Sequence, residues 1–218
     1  MPSSFLQARI LIPVFSLAVL VASGCKEVCD DDGLPQYRLT AGQQAWVNPY
    51  VKGAVWRFRN AAGYERSYLI KEVEDKMDAK GTSKGTLCPT FYVQAINIQL
   101  ERTDSVQAKR HFLSLAPGAT NSEVKVLASL VWADMEFELP IGNVEDGVPP
   151  RSTGNGNTSQ LHSQLVVGGR SYQNVLESSM IPFYTDSKPS STVIRTFVTK
   201  NEGLVRFDTR AGTVWSRI

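Results

Sequence analysis

Three cysteines, two histidines and a few groups of carboxylates are the side chains of this 218-residue chain whose type and spacing suit chemistry. Cys25 and Cys29 stand four residues apart in LVASGCKEVCDDD (20–32), and Cys88 lies far downstream before Pro89. A thiol serves as nucleophile, metal ligand, bridge or acylation site, and its surroundings decide which. Cys25 follows Ala22-Ser23-Gly24 and an apolar run of twelve residues, Ile10 to Val21. That run is too short for a spanning helix, which needs about 20 residues, and suits the core of a signal peptide. The small residues followed by cysteine predict a lipobox. The Cys25 thiol would take a diacylglycerol, and cleavage would make Cys25 the first mature residue. The other reading is an ordinary secretory signal cleaved near Gly24. Several acyl chains hold a protein firmly at a membrane. The expected partner is therefore the membrane, reached through an N-terminal lipid. Lys26, rather than an aspartate, stands second after cleavage. This favours the bacterial outer membrane, facing the periplasm or the cell surface.

With Cys25 acylated, Cys29 and Cys88 remain. Exported compartments are oxidising, and an even remainder there predicts a Cys29–Cys88 disulfide. The alternative is two unpaired small residues. The other groups point to no reaction. His111 and His162 are the only histidines, and zinc needs three or four ligands at useful spacing. Asp30-Asp31-Asp32-Gly33 lacks the spaced ligands and distant glutamate of a calcium loop. Its plain reading is a solvated tether. No phosphate-loop signature is present. Asp134, Glu136 and Glu138 alternate with apolar residues, and a carboxylate pair suits glycoside hydrolysis. The simpler reading is the wet face of a sheet. Of Trp46, Trp56, Trp132 and Trp215, the alternation puts Trp132 on that acidic outer face, while the other three are expected in the core or covering a sheet edge. No catalytic residue, metal or cofactor is expected.

The elements that would position these residues read as strands. Val55–Arg59 and Tyr64–Ile70 form a hairpin across Asn60 to Gly63. Lys71 to Lys80 suits a strand end or a short helix, and Gly81 to Gly85 a loop. Phe91 to Leu100 reads as a strand with Tyr92, Ile96, Ile98 and Leu100 on one face, and His111 to Leu115 returns. Glu123 to Leu130 fits a strand or one or two helical turns. Val131 to Leu139 reads as one strand, with Val131, Ala133, Met135, Phe137 and Leu139 facing the core. Pro149 to Asn157 is low in complexity and marks a mobile loop at about 145–160. The last third is a meander: Leu161–Val167, Arg170–Glu177, Val193–Thr199, Leu204–Asp208 and Thr213–Arg217, joined by Gly turns. Short strands at this spacing predict a mainly β fold, an antiparallel meander forming a curved sheet, half-barrel or sandwich. Little helix is expected apart from the signal peptide. The organisation is a signal peptide (1–24), a lipidated flexible tether (25–35) and one β-rich domain (36–218). Cleavage leaves 194 residues, enough for one real core. The formal net charge of +2 and the lack of a basic run argue against a nucleic-acid partner.

Two phrases carry a resemblance. They are VVGGRSYQNVLE (166–177) and VIRTFVTKNEGLVRFDTRAGTVWSRI (193–218). Together they resemble the C-terminal part of uncharacterised outer-membrane lipoproteins of the Bacteroidota type. The matching residues are Tyr172, Asn174 and Val175, then Phe197, Lys200, Gly203, Leu204, Val205 and Trp215. The VWRFRNAAGYERSY stretch is similar to the early hairpin of such proteins, and Asp30 to Asp32 loosely resembles their acidic surface-export signals. The resemblance implies an antiparallel curved sheet and brings no catalytic residues. The expected function is a lipid-anchored, non-catalytic binding or assembly module with an envelope protein or glycan partner. The alternative is a carrier holding an amphiphile in the concave face of the sheet.

Overall fold

The computed structural model describes residues 33–82, 88–105, 109–119, 124–150 and 156–218. Cys25, Cys29 and the signal peptide lie outside the described residues. Within them, twelve strands form one sheet. They are β1 (Gln36–Tyr37), β2 (Val55–Asn60), β3 (Glu65–Thr82), β4 (Pro89–Arg102), β5 (His111–Ala119), β6 (Val124–Trp132), β7 (Met135–Leu139), β8 (Asn157–Val167), β9 (Arg170–Met180), β10 (Val193–Thr199), β11 (Gly203–Thr209) and β12 (Val214–Arg217). The short helices α1 (Ala41–Gln44), α2 (Ile141–Glu145) and α3 (Pro182–Thr185) lie between strands. The strand order is β7-β6-β5-β4-β3-β2-β12-β11-β10-β9-β8. Strands adjacent in this order pair antiparallel, and β2 with β12 joins the two halves. The sheet curls until its ends meet: Ser178 Oγ on β9 donates to the Glu138 carbonyl on β7 at 2.9 Å. The result is a nearly closed antiparallel barrel, as the mainly β reading requires.

The hairpin β2–β3 follows its pattern. Trp56 and Phe58 are buried while Val55, Arg57 and Arg59 face solvent. Gly63 takes φ +84, the left-handed geometry that closes the loop at no steric cost. Lys71 to Lys80 continues β3 as strand, and β3 and β4 pair as far as Thr82 with Pro89. This arm outruns its neighbours, because β2 stops pairing at Leu69 and β5 reaches only Ile96 of β4. On the freed flank of β4, β1 adds in parallel. Gln94, buried there, accepts from the Leu39 amide (3.1 Å) and donates to Asp75 (2.9 Å). Glu123 to Leu130 is resolved in favour of strand, from Val124 onward.

Val131 to Leu139 is not one strand. Ala133 and Asp134 have φ of +52° and +69° and make a two-residue turn between β6 and β7, with Trp132 opposite Met135. Such a turn flips the parity of the buried face. Ala128, Leu130 and Trp132 therefore point inward on β6, and Phe137 and Leu139 on β7. Trp132 is fully buried, not on the acidic outer face. Val131 is also buried, whereas Ala133 and Met135 are only half-buried. The turn is tied down by Asp134, whose carboxylate accepts from the Arg110 amide at 2.9 Å. Alanine in left-handed geometry is strained. Ala133→Gly is expected to stabilise the domain by about 1 kcal/mol in urea unfolding; an unchanged midpoint would show that the turn carries no strain.

The inside is filled by aromatic rings. Phe58, Tyr68, Trp132 and Phe207 meet at centroid distances from 4.6 to 6.4 Å. β10 and β11 are largely buried on both faces, although Arg195, Arg206 and Asp208 interrupt their apolar residues. A second, smaller cluster (Val167, Tyr172, Val175, Phe197 and Val205) covers their other side. The region expected to be mobile at 145–160 begins inside structure, since Glu145 ends α2 and Asn157 opens β8; residues 151–155 lie outside the described set.

His111 packs against Tyr68 (5.0 Å) and Trp132 (4.8 Å) at one end of this core. Burial, helped by the charges of Arg102 and Lys109, pushes its pKa down to about 4. The unfolded chain takes up the same proton near pH 6.5. Between these values the unfolded state binds more protons, so stability falls as pH drops. A loss on the order of 3 kcal/mol is expected from pH 6.5 down to 4. Urea midpoints across that range check it, and His111→Phe should remove this part of the slope.

Candidate binding site

The barrel has two ends, and β10 runs from one to the other. After its last residue the chain turns through Lys200, Asn201 and Glu202. There a cleft of about 480 Å³ opens between the helices α1 and α2 and the strands β8 and β9. Its floor is built from sequence-distant groups. Thr40 caps α1 with a full capping box, in which the Gln43 side chain accepts back from the Thr40 amide. The chain then delivers Trp46, whose Nε1–H donates to Glu145 Oε1 at 2.7 Å. Lys200 Nζ donates to Glu145 Oε2, also at 2.7 Å. Gly42 makes room for this pair, since a Cβ there would collide with the Glu145 carboxylate. Burial alone would raise the Glu145 pKa, but the bonds from Lys200 and Trp46 outweigh it and hold the carboxyl below its usual range. Lys200 is thus committed to its partner and is not poised as a nucleophile.

The rim is also paired. Arg170 binds Glu202 at 2.9 Å, and Arg217 donates to the Glu202 carbonyl while its guanidinium lies 4.1 Å from the Trp56 ring. Gly203 has φ +70, and a Cβ there would strike the Trp56 ring. Tyr172 is buried, its hydroxyl has no hydrogen-bond partner among the described residues, and burial raises its pKa. Gln173, Asn174 and Asn201 complete the wall with exposed amides that bond to no other described residue. Asn174 has φ +51 within β9, and the β8–β9 register runs on unshifted to either side of it. Asparagine tolerates this geometry better than most residues, and strained backbone concentrates at binding sites. The cleft is therefore charge-balanced and rich in unclaimed amide donors and acceptors. Such a surface suits hydroxyl- and amide-bearing ligands.

Tyr172, Asn174 and Lys200 of the two C-terminal phrases come together in this cleft, with Gly203 beside it. Phe197, Val175 and Val205 belong to the smaller core behind it. The other sequence candidates are scattered. Cys88 precedes β4 and is half-buried, while Cys25, Cys29 and Asp30 to Asp32 lie outside the described residues. Asp134 sits in the β6–β7 turn, so it does not share a strand face with Glu136 and Glu138. Those two border a separate cleft of about 460 Å³ at the barrel seam, where Ser129 Oγ donates to Glu136 at 2.6 Å. His162 pairs with Glu177 at 2.7 Å. All four tryptophans are buried, and none presents a free ring for stacking. Gly81-Thr82-Ser83-Lys84-Gly85 spells the pattern of a nucleophile elbow, and its serine lies outside the described residues.

Comparison with protein-family models, with curated proteins and with solved structures finds no match.

Proposed function

We propose that this chain is a non-catalytic binding module tethered by lipid to a bacterial outer membrane, and that it meets an envelope glycan at the Glu145–Lys200 cleft. The address rests on the lipobox at Ala22 to Cys25 and on Lys26 behind it. The resemblance of both C-terminal phrases to Bacteroidota lipoproteins points the same way. The nearly closed barrel is compatible with a binding module. One observation carries the site: three exposed amides, one of them held in left-handed geometry, surround an ion pair that is already neutral. Neutral amides over an apolar residue such as Leu161 suit the hydroxyls and carbon face of a sugar. The amphiphile-carrier alternative is less well supported, because aromatic rings occupy the concave face.

Two measurements test this reading. Labelling cells with an alkyne fatty acid should mark the wild type and not Cys25→Ser; a labelled, membrane-bound variant would refute the anchor. Titrating isotopically labelled mature protein with muropeptides should shift the side-chain amide signals of Gln173, Asn174 and Asn201, with maltotriose as the control sugar. A silent cleft, together with shifts at Phe58 and Trp132 on adding a lysophospholipid, would favour the carrier instead.

A further inference from the structure

At the other end of the barrel, a small chamber of about 70 Å³ lies beside the aromatic core. Arg66, Tyr68, Arg102, Lys109, His111 and Ser191 line it. The register explains their meeting: Arg102 is opposite Tyr68, and His111 is opposite both Leu100 and Trp132. Three cations thus face one small space. Arg102 spends Nε and Nη2 on Asp104, at 3.0 and 2.6 Å, and keeps Nη1. Arg66 and Lys109 have no carboxylate within ion-pair distance among the described residues. The Arg66 guanidinium is stacked 3.9 Å from the Trp215 ring. Stacking uses its face and leaves in-plane N–H donors directed outward. His111 is 2% exposed, and its Nδ1 has no hydrogen-bond partner among the described residues. The neutral ring can serve an oxyanion there in the tautomer that carries its proton on Nδ1, which then donates.

A cation cluster of this kind, with fixed donors and little room, matches a tetrahedral oxyanion. The chamber adjoins an outer cleft of about 440 Å³ that shares Arg102, Lys109 and His111. The charges added there are already paired, Lys71 with Glu101 and Arg110 with Asp134. The uncompensated positive charge is therefore concentrated at the inner chamber, while the outer cleft is roomy and nearly neutral. We infer that the inner chamber binds the phosphate group of a small phosphomonoester whose uncharged remainder lies in the outer cleft. This site is independent of the Glu145–Lys200 cleft, which lies at the opposite end of β10.

Calorimetric titration of the mature protein in 150 mM salt tests it with three probes: glucose 1-phosphate, inorganic phosphate and glucose. Glucose 1-phosphate should bind and glucose should not. Lys109→Ala should weaken binding by about tenfold or more, the loss typical of one charge-assisted contact. Arg59→Ala, on the outer face of β2 and paired with Glu65, should leave affinity within about twofold. Arg66→Gln should also weaken binding; should it unfold the protein by losing the stack on Trp215, exposed Lys109 still decides the matter. Tighter binding of the ester than of inorganic phosphate supports the full proposal. Equal affinity would overturn its ester part and leave the free ion as ligand. No binding of either phosphate, or equal losses in Lys109→Ala and Arg59→Ala, would overturn the site.

Discussion

Trp132→Ala is expected to destabilise the domain by about 3–5 kcal/mol, the range for removing a large aromatic from a packed core. Trp132 has no solvent exposure. Its ring lies 4.6 Å from Tyr68, 4.8 Å from His111, 5.6 Å from Phe207 and 6.0 Å from Phe58. These partners come from β2, β3, β5 and β11, so one side chain ties both halves of the sheet together. Alanine would leave a hole that rigid strands on all sides cannot close. Chemical unfolding gives the number, and Glu136→Ala, on the exposed face two strand positions from the turn, provides the contrast at under about 0.5 kcal/mol. The comparison also decides between two registers. If β6 and β7 were one continuous strand, Trp132 would share the solvent face with Glu136, and both variants would cost little. A small loss at Trp132 would therefore reinstate the single strand.

The error over Trp132 shows what alternation reveals and what it hides. A period-two pattern reports which side chains share a face only while the strand continues. Across a two-residue turn the inward set moves from even to odd positions, and Val131 to Leu139 reads as unbroken because Val131 happens to be buried on the outer side as well. The usual Asn-Gly or Asp-Gly signal is missing at Ala133-Asp134, so the turn chemistry gave no warning. Where glycine marks the turn the reading succeeds, as at Gly63, Gly168-Gly169 and Gly203. The long charged stretch from Lys71 to Lys80 was ambiguous for a different reason: it belongs to an arm beyond the barrel, where no face is buried enough to leave a pattern. Site residues are the least legible. Glu145 and Lys200 are 55 positions apart and meet only because α2 and the β10–β11 turn fall at the same barrel end. Arg66 and Arg102 likewise meet Lys109 through the β3–β4 register and the entry to β5. Asn174 had a local trace, an asparagine inside a strand pattern, which strands disfavour.

The proposed Cys29–Cys88 bridge should contribute about 4 kcal/mol, so Cys88→Ser or full reduction should lower stability by that amount. The chain-entropy model gives this figure for a loop of about 60 residues, less any strain. The register of β1 makes the pairing geometrically reasonable. Gln36 stands opposite Tyr92 and Tyr37 opposite Val93, in parallel, an offset of 56 residues. The chain ahead of β1 thus enters beside the Pro89 end of β4, and Cys29 lies outside the described residues. A disulfide needs Cα atoms within about 7 Å. Cys88 sits half-buried at the head of β4, and its side chain is not without a partner. The mechanical consequence follows from the size of β1. Two residues of parallel pairing, with the Tyr92 amide donating to the Pro35 carbonyl at 2.9 Å, make a weak attachment for a chain proposed to lead to a lipid. Breaking the bridge should release β1 first. The Tyr92 amide should then exchange faster with solvent, while Leu115 and Phe207 stay protected until global unfolding. Peptide mapping without reductant supplies the direct check. Alkylatable thiols at both positions in protein taken from the envelope, or a loss under about 1 kcal/mol in Cys88→Ser, would show that no such clip holds the tether to the barrel.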